Sequence, residues 1–146
     1  MLSQVEVEAF AAEWFHRLDE HAPVEQVVEM VAPGDVEFRL PEATLISAKQ
    51  VGQWYAGGGS FIGVIYVFFD EVHTLRKLEV VPAAEPAAER TGVNVVLKWE
   101  ARIWKPPAAR SERLAFEATQ RWELVRGEDG RPRIVSYIVD QLKDEP

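Results

Sequence analysis

The 146-residue sequence lacks cysteine, which excludes disulfide bonds, thiol nucleophiles and cysteine-ligated metal sites. It is also poor in bases, with 16 Lys and Arg against 24 Asp and Glu, and the net charge of −8 would repel a phosphate backbone. No apolar run approaches the ~20 residues of a membrane span, and the N-terminus lacks the pattern of a signal peptide. We therefore expect a cytoplasmic protein without nucleic-acid or membrane partners.

Histidine is scarce as well, with three in the chain: His16, His21 and His73. None of them forms an H-x-H or H-E-x-x-H pattern, so we expect no metal site and, if there is chemistry, cofactor-free acid/base work. The length predicts one domain, residues 1–146, in which folding buries about 70% of the surface of the unfolded chain.

The first half of the sequence predicts helices. Apolar residues recur at three- and four-residue steps over residues 4–19, which indicates an amphipathic helix. A second helix is predicted over residues 24–31 and a third over 47–55, capped by Ser47 and ended by the glycines at 57–59. Alternation at Val36, Phe38 and Leu40 predicts a short strand.

Strands dominate the second half. Clean alternation predicts strands over 93–104, 114–125 and 133–141, separated by loops at 82–92, 105–112 and 127–132. Residues 61–69 fit a buried strand or a short helix equally well. Three helices followed by a meander predict an α+β fold, with the helices on one face of a strongly curved antiparallel sheet.

The order of these elements resembles the NTF2-like superfamily, and its SnoaL-like family in particular. The resemblance rests on residues 14–41, on WYAGGG at 54–59, on FFDEVHTLRKLEV at 68–80 and on RIVSYIVDQL at 133–142. It implies a cone of helices and curved sheet around a small-molecule pocket. Related ketosteroid isomerases place a tyrosine and an aspartate where this sequence has Trp14 and Leu40, so isomerase chemistry of that kind is disfavoured because leucine cannot accept a proton.

Two residues are candidates for acid/base catalysis. Asp140 shares strand parity with Ile134 and Ile138, so it faces the cone if they do, and the resemblance implies an aspartate near the end of the last strand. The alternative is that Asp140 ends the strand in solvent. His73 opens a strand after Asp70 and Glu71 and is either a pocket base or a hydrogen-bonded structural residue.

A larger group of residues is predicted to bind the ligand. Gln120 and Ser136 interrupt apolar strand faces, so they either orient a ligand or bond to each other or to a buried water. The remaining candidates are apolar or aromatic and either wall a pocket or fill it: Trp14, Phe38, Leu40, Trp99 and Trp122.

The sequence thus favours a protein that binds a small hydrophobic molecule in the cone, with possible cyclase-, dehydratase- or isomerase-type activity. The alternative is a non-catalytic ligand-sensing or dimerisation module. Trp104 shares a predicted outward face with charged residues, and the resemblance implies a homodimer formed through that side of the sheet.

Overall fold

The first helix, α1, spans Gln4–Asp19 and starts at a capping box. The Ser3 hydroxyl accepts a hydrogen bond from the Glu6 amide, and the Glu6 carboxylate accepts one from the Ser3 amide. The apolar stripe predicted from the sequence is buried against the rest of the protein, including Trp14 and Leu18. The prediction of a helix over 4–19 is confirmed.

The computed structural model describes residues 1–83 and 89–145. The further helices are α2 Val24–Val28, α3 Ala48–Ala56 and α4 Val64–Val67. The strands are β1 Glu37–Arg39, β2 Thr44–Leu45, β3 Phe68–Pro82, β4 Thr91–Ile103, β5 Glu112–Arg126 and β6 Pro132–Asp144. They form one curved six-stranded sheet in the order β2-β1-β6-β5-β4-β3. The predicted α+β fold class is confirmed.

All neighbouring strands are antiparallel except β1 and β6, which run parallel. Helix α1 crosses one face of the sheet, here called the inner face. Aromatic rings of this helix contact three strands. The ring centroid of Phe15 lies 4.7 Å from that of His73 in β3 and 5.6 Å from that of Trp122 in β5. The ring centroids of Trp14 and Tyr137, in β6, are 5.7 Å apart. The core therefore lies between α1 and the inner face.

Several boundaries differ from the predictions. Helix α2 ends at Val28 instead of Val31, because Val31 already forms a bridge to Ile134 of the sheet. The ambiguous segment 61–69 contains both alternatives, since the short helix α4 runs directly into β3 at Phe68. Helix α3 is capped by Ser47 as predicted, and Gly57 follows it with a φ of 97°. Part of the predicted loop at 82–92, residues 84–88, lies outside the described residues.

Two β-bulges decide which way the side chains of β6 point. Gln120 pairs with Val139 but Thr119 pairs with Gln141, so Asp140 is an extra residue; Val135 is another, between the partners of Leu124 and Glu123. Each extra residue reverses the alternation of side chains between the two faces. As a result Ile134, Tyr137, Val139 and Leu142 share the inner face, whereas Ser136 and Ile138 lie on the outer face.

In the described part of the chain, no helix combines the length and apolar character needed to cross a membrane.

Candidate active site

A cavity of about 110 Å³ lies between the helices and the inner face of the sheet. Most of its wall is apolar or aromatic, with Leu18 from α1, Trp54 from α3, Val64 from α4 and Phe68, Leu97, Trp99, Val139 and Leu142 from the strands. Five residues that carry polar groups also reach it: Glu42, Glu71, His73, Gln120 and Tyr137. The volume is well below the ~300–1,000 Å³ of pockets for drug-sized molecules, so the cavity suits a small ligand.

His73 is fixed on the cavity wall by Asp19, the last residue of α1. Its ring nitrogen Nδ1 hydrogen bonds to Asp19 Oδ1, and its backbone amide donates to Asp19 Oδ2 at 2.9 Å. The ring also stacks on Phe15, and its side chain is only 10% exposed. One carboxylate therefore holds both the backbone and the imidazole of His73, which fixes the orientation of the ring.

Glu71 lies two residues before His73 and is more deeply buried, with 4% of its side chain exposed. Its Oε2 lies 2.8 Å from His21 Nε2, and its Oε1 accepts a hydrogen bond of 3.3 Å from the Trp99 indole N–H. Burial raises the pKa of Glu71, and the bond to His21 and the nearby His73 only partly oppose this effect. A carboxyl group with a raised pKa on a cavity wall is a candidate proton donor.

The loop that carries His21 is anchored from α3. The Tyr55 hydroxyl donates a 2.6 Å hydrogen bond to the Ala22 carbonyl. Burial raises the pKa of Tyr55 to about 12, with a further contribution from the charge of Glu71. Tyr55 therefore acts as a neutral donor that fixes the loop.

Four of the predicted site residues line the cavity: His73, Leu40, Trp99 and Gln120. Trp14, Phe38 and Trp122 are not among its lining residues. They are 1%, 0% and 1% exposed and pack in the core behind the wall. The structure therefore favours, for these three rings, the packing alternative raised by the sequence.

Gln120 is tied into the wall by its neighbours. Its Oε1 accepts a 3.0 Å hydrogen bond from the indole N–H of Trp122, and its side chain also hydrogen bonds to Tyr137. Burial raises the pKa of Tyr137 to about 12, and its hydroxyl oxygen accepts a 3.4 Å bond from the Trp14 indole. These bonds hold Gln120 in one position at the cavity surface.

The predicted inward placement of Asp140 and Ser136 is wrong. The bulge at Val135 puts Ser136 on the outer face, where it lines a surface depression with Arg90, Arg121 and Glu123. Asp140 is exposed and forms two hydrogen bonds, of 2.7 and 2.9 Å, with the Arg121 guanidinium. This partner lowers the pKa of Asp140, the opposite of what the acid/base prediction required.

Trp104, predicted on the outer face, lies just beyond the end of β4. Its backbone amide donates to the Val67 carbonyl at 2.9 Å, and its indole N–H donates to the Ala108 carbonyl at 2.8 Å. The indole thus contributes to the local loop structure. A homodimer through the outer face and a cytoplasmic location stay predictions.

Sequence reasoning missed Glu42 and Tyr137 of the cavity wall. It also missed three residues of the histidine–carboxylate contacts, Asp19, His21 and Glu71. A signal for them was present, because the chain twice places an acid two residues before a histidine, at Asp19 and His21 and again at Glu71 and His73. What the sequence did not show is that the pairs cross, with Asp19 bound to His73 and His21 bound to Glu71.

Neither the protein-family models nor the curated proteins include a significant match to the chain. Solved structures match it over nearly its whole length. A LinA-type3 hexachlorocyclohexane dehydrochlorinase from Novosphingobium barchaimii has a TM-score of 0.71 at 9% identity, covering 97% of this chain and 89% of the other. A ketosteroid isomerase-like protein from Erwinia carotovora atroseptica has a TM-score of 0.67 at 12% identity and covers 92% of each chain. Aln2 from a Streptomyces species has a TM-score of 0.66 at 21% identity, covering 97% and 93%.

Proposed function

We propose that this protein, which has the α+β NTF2-like fold, abstracts a proton from a carbon atom of a small, mostly apolar molecule, with His73 as the base. The observation that carries the proposal is the contact of His73 with Asp19 at the cavity wall. Leu40, Trp99 and Gln120 form the binding surface beside it.

The chemistry follows from the two nitrogens of the ring. Because Nδ1 is bonded to Asp19, Nε2 is the nitrogen left for a substrate, and the carboxylate stabilises the imidazolium that forms when Nε2 takes a proton. Histidine is the side chain that most often serves as a general base in proteins. The mostly apolar wall supports a hydrophobic substrate with one polar group.

The names of two structural matches support this class of reaction. A dehydrochlorinase removes the elements of HCl from its substrate, and an isomerase relocates a bond. When a base promotes loss of HCl or the shift of a C=C bond along a carbon skeleton, it removes a proton from carbon, and the electron pair of the C–H bond forms the new C=C bond. His73 supplies that base here without a further reactant.

Hydrogen–deuterium exchange on a probe ketone tests the proposal. We expect the protein to speed exchange of the α-protons of cyclohexanone in D₂O, followed by proton NMR. His73→Gln should lower the exchange rate about 10²-fold or more, because the base is lost, and Asp19→Asn should lower it strongly because the ring loses its orientation.

A matched control is His16→Gln. His16 is an exposed histidine of α1, the helix that also carries Asp19, and its ion-pair partner is Glu20. The substitution should leave the exchange rate unchanged. Exchange no faster than in buffer, or equal rates for the wild type and His73→Gln, would count against the proposal.

A further inference from the structure

Two histidine–carboxylate pairs lie at the cavity, and they are oriented in opposite ways. In one pair the histidine, His73, lines the cavity and the carboxylate, Asp19, lies behind it. In the other the carboxylate, Glu71, lines the cavity and the histidine, His21, lies behind it. The first pair presents a base to a ligand, and the second presents a carboxyl group.

We infer that Glu71 and His21 form a second proton-carrying pair, in which Glu71 gives a proton to the ligand and His21 restores it from solvent. This inference rests on the proposed function, because it supplies the acid that complements His73. The geometry supports a route to water, since 24% of the His21 side chain is exposed against 4% of Glu71.

The backbone at His21 is a second, independent observation. His21 follows the C-cap of α1 with a φ of 52°, and the amides of His21 and Ala22 donate to the carbonyls of Leu18 and Arg17. This is a Schellman motif, whose left-handed position is usually glycine because a Cβ atom is strained there. Helix termination alone would favour glycine at this position. The presence of an imidazole in contact with a buried carboxyl group is therefore better explained by a role in function.

Burial favours the protonated form of Glu71, whereas its histidine neighbours and the Trp99 indole oppose this effect in part. The titratable groups that face it are His21 from the loop after α1, Tyr55 from α3 and His73 from β3, with Asp19 next to His73; the neutral Trp99 indole comes from β4. Burial is the largest influence and raises the pKa of Glu71. A protonated Glu71 can hydrogen bond to a carbonyl or leaving group through its O–H.

An elimination would then balance as follows. His73 takes the proton from carbon, the C–H electron pair becomes the C=C bond, and the leaving group departs with its bonding pair and the proton of Glu71. The site is reset when His73 releases a proton to solvent and Glu71 regains one through His21. No oxidant or reductant enters this balance.

Carbon-13 NMR of the Glu71 carboxyl group tests the pair without any substrate. We expect this carboxyl to titrate above the ordinary glutamate pKa of 4.5. In His21→Asn, which tolerates the left-handed backbone but has a shorter side chain, the pKa of Glu71 should rise further because a stabilising partner is lost. A Glu71 carboxyl that titrates in the ordinary range would overturn the inference.

The cyclohexanone exchange assay tests the proton route. Glu71→Gln should lower the exchange rate about tenfold or more, because the amide cannot donate a transferable proton. His21→Asn should lower it too, and added free imidazole should restore much of the loss, whereas His16→Asn should behave as wild type.

The outcomes separate the two proposals. If His73→Gln lowers the exchange rate while Glu71→Gln and His21→Asn do not, the inference fails and the function of His73 stands. If the wild type exchanges no faster than buffer, the proposed function fails, and the carboxyl titration still decides whether Glu71 and His21 act as a pair.

Discussion

Glu71 and Asp140 are both carboxylates on long strands of one sheet, yet they have opposite surroundings. Glu71 reaches the cavity and is held by a histidine and an indole, so burial raises its pKa. Asp140 lies on the exposed outer face and accepts hydrogen bonds from Nε and Nη2 of Arg121, which lower its pKa. The different surroundings on the two faces thus shift the pKa of these two carboxyl groups in opposite directions.

The comparison teaches which kind of partner suits which task. Arginine stays charged at neutral pH, so an arginine partner favours the ionised form of a carboxylate, as Arg126 does for Glu6 on the surface. Histidine can gain or lose a proton itself. Both carboxylates of the cavity pairs, Asp19 and Glu71, have histidine partners.

The two faces should differ most in how much a substitution lowers the free energy of unfolding, and two adjacent residues of β5 test this. Trp122 is buried on the inner face, and its indole donates to Gln120, so Trp122→Ala should lower the free energy of unfolding by about 3–5 kcal/mol. Arg121→Ala on the outer face should cost about 1 kcal/mol or less, because its ion pair is solvent-exposed. Urea denaturation of both variants measures the two values.

Similar losses for Trp122→Ala and Arg121→Ala, with unchanged slopes against urea, would contradict the assignment of the faces. A changed slope for one variant would instead indicate that its native or denatured state had altered in compactness, so the slopes serve as the internal control.

A smaller effect concerns the pH dependence of stability. Because the pKa of Glu71 is raised on folding, the native state binds more protons than the unfolded state between the ordinary value of 4.5 and the folded pKa. The stability of the wild type therefore falls as the pH rises through this window, by about 1.4 kcal/mol for each unit of pKa difference. Glu71→Gln lacks this loss, so its stability relative to the wild type should increase with pH.

Urea denaturation of the wild type and Glu71→Gln at a series of pH values measures this difference. Asp140→Asn serves as the control with the opposite sign, because the pKa of Asp140 is lowered on folding. A stability difference between the wild type and Glu71→Gln that does not change with pH would show that burial does not hold the proton on Glu71.

Local patterns were enough to predict most of the fold. The spacing of apolar residues predicted α1, Ser47 predicted the start of α3, and alternation predicted the inner faces of β4 and β5, whose pairing contains no bulge. Each of these signals depends on residues near one another in the sequence. His73, Trp99 and Gln120 were placed at the site by the same reasoning.

The rest of the site depends on contacts between distant residues. Asp19 meets His73 across 54 positions and His21 meets Glu71 across 50, so their pairing follows from how α1 packs on β3. The bulge at Val135 could not be predicted from the sequence either, because an extra residue in one strand is defined only by its pairing with the neighbouring strand. One unseen residue was enough to reverse the predicted face of Asp140.

The smallest expected effect is therefore that of Asp140→Asn. The Arg121 pair lies in solvent, so its loss should lower the free energy of unfolding by at most about 1 kcal/mol at neutral pH. Because the pKa of Asp140 is lowered, this contribution is present above its unfolded value of 3.8 and disappears as the pH falls through the folded value. High salt should also reduce it. The exchange rate of cyclohexanone should equal that of the wild type, and a large loss of exchange in Asp140→Asn would mean that the outer face takes part in the chemistry after all.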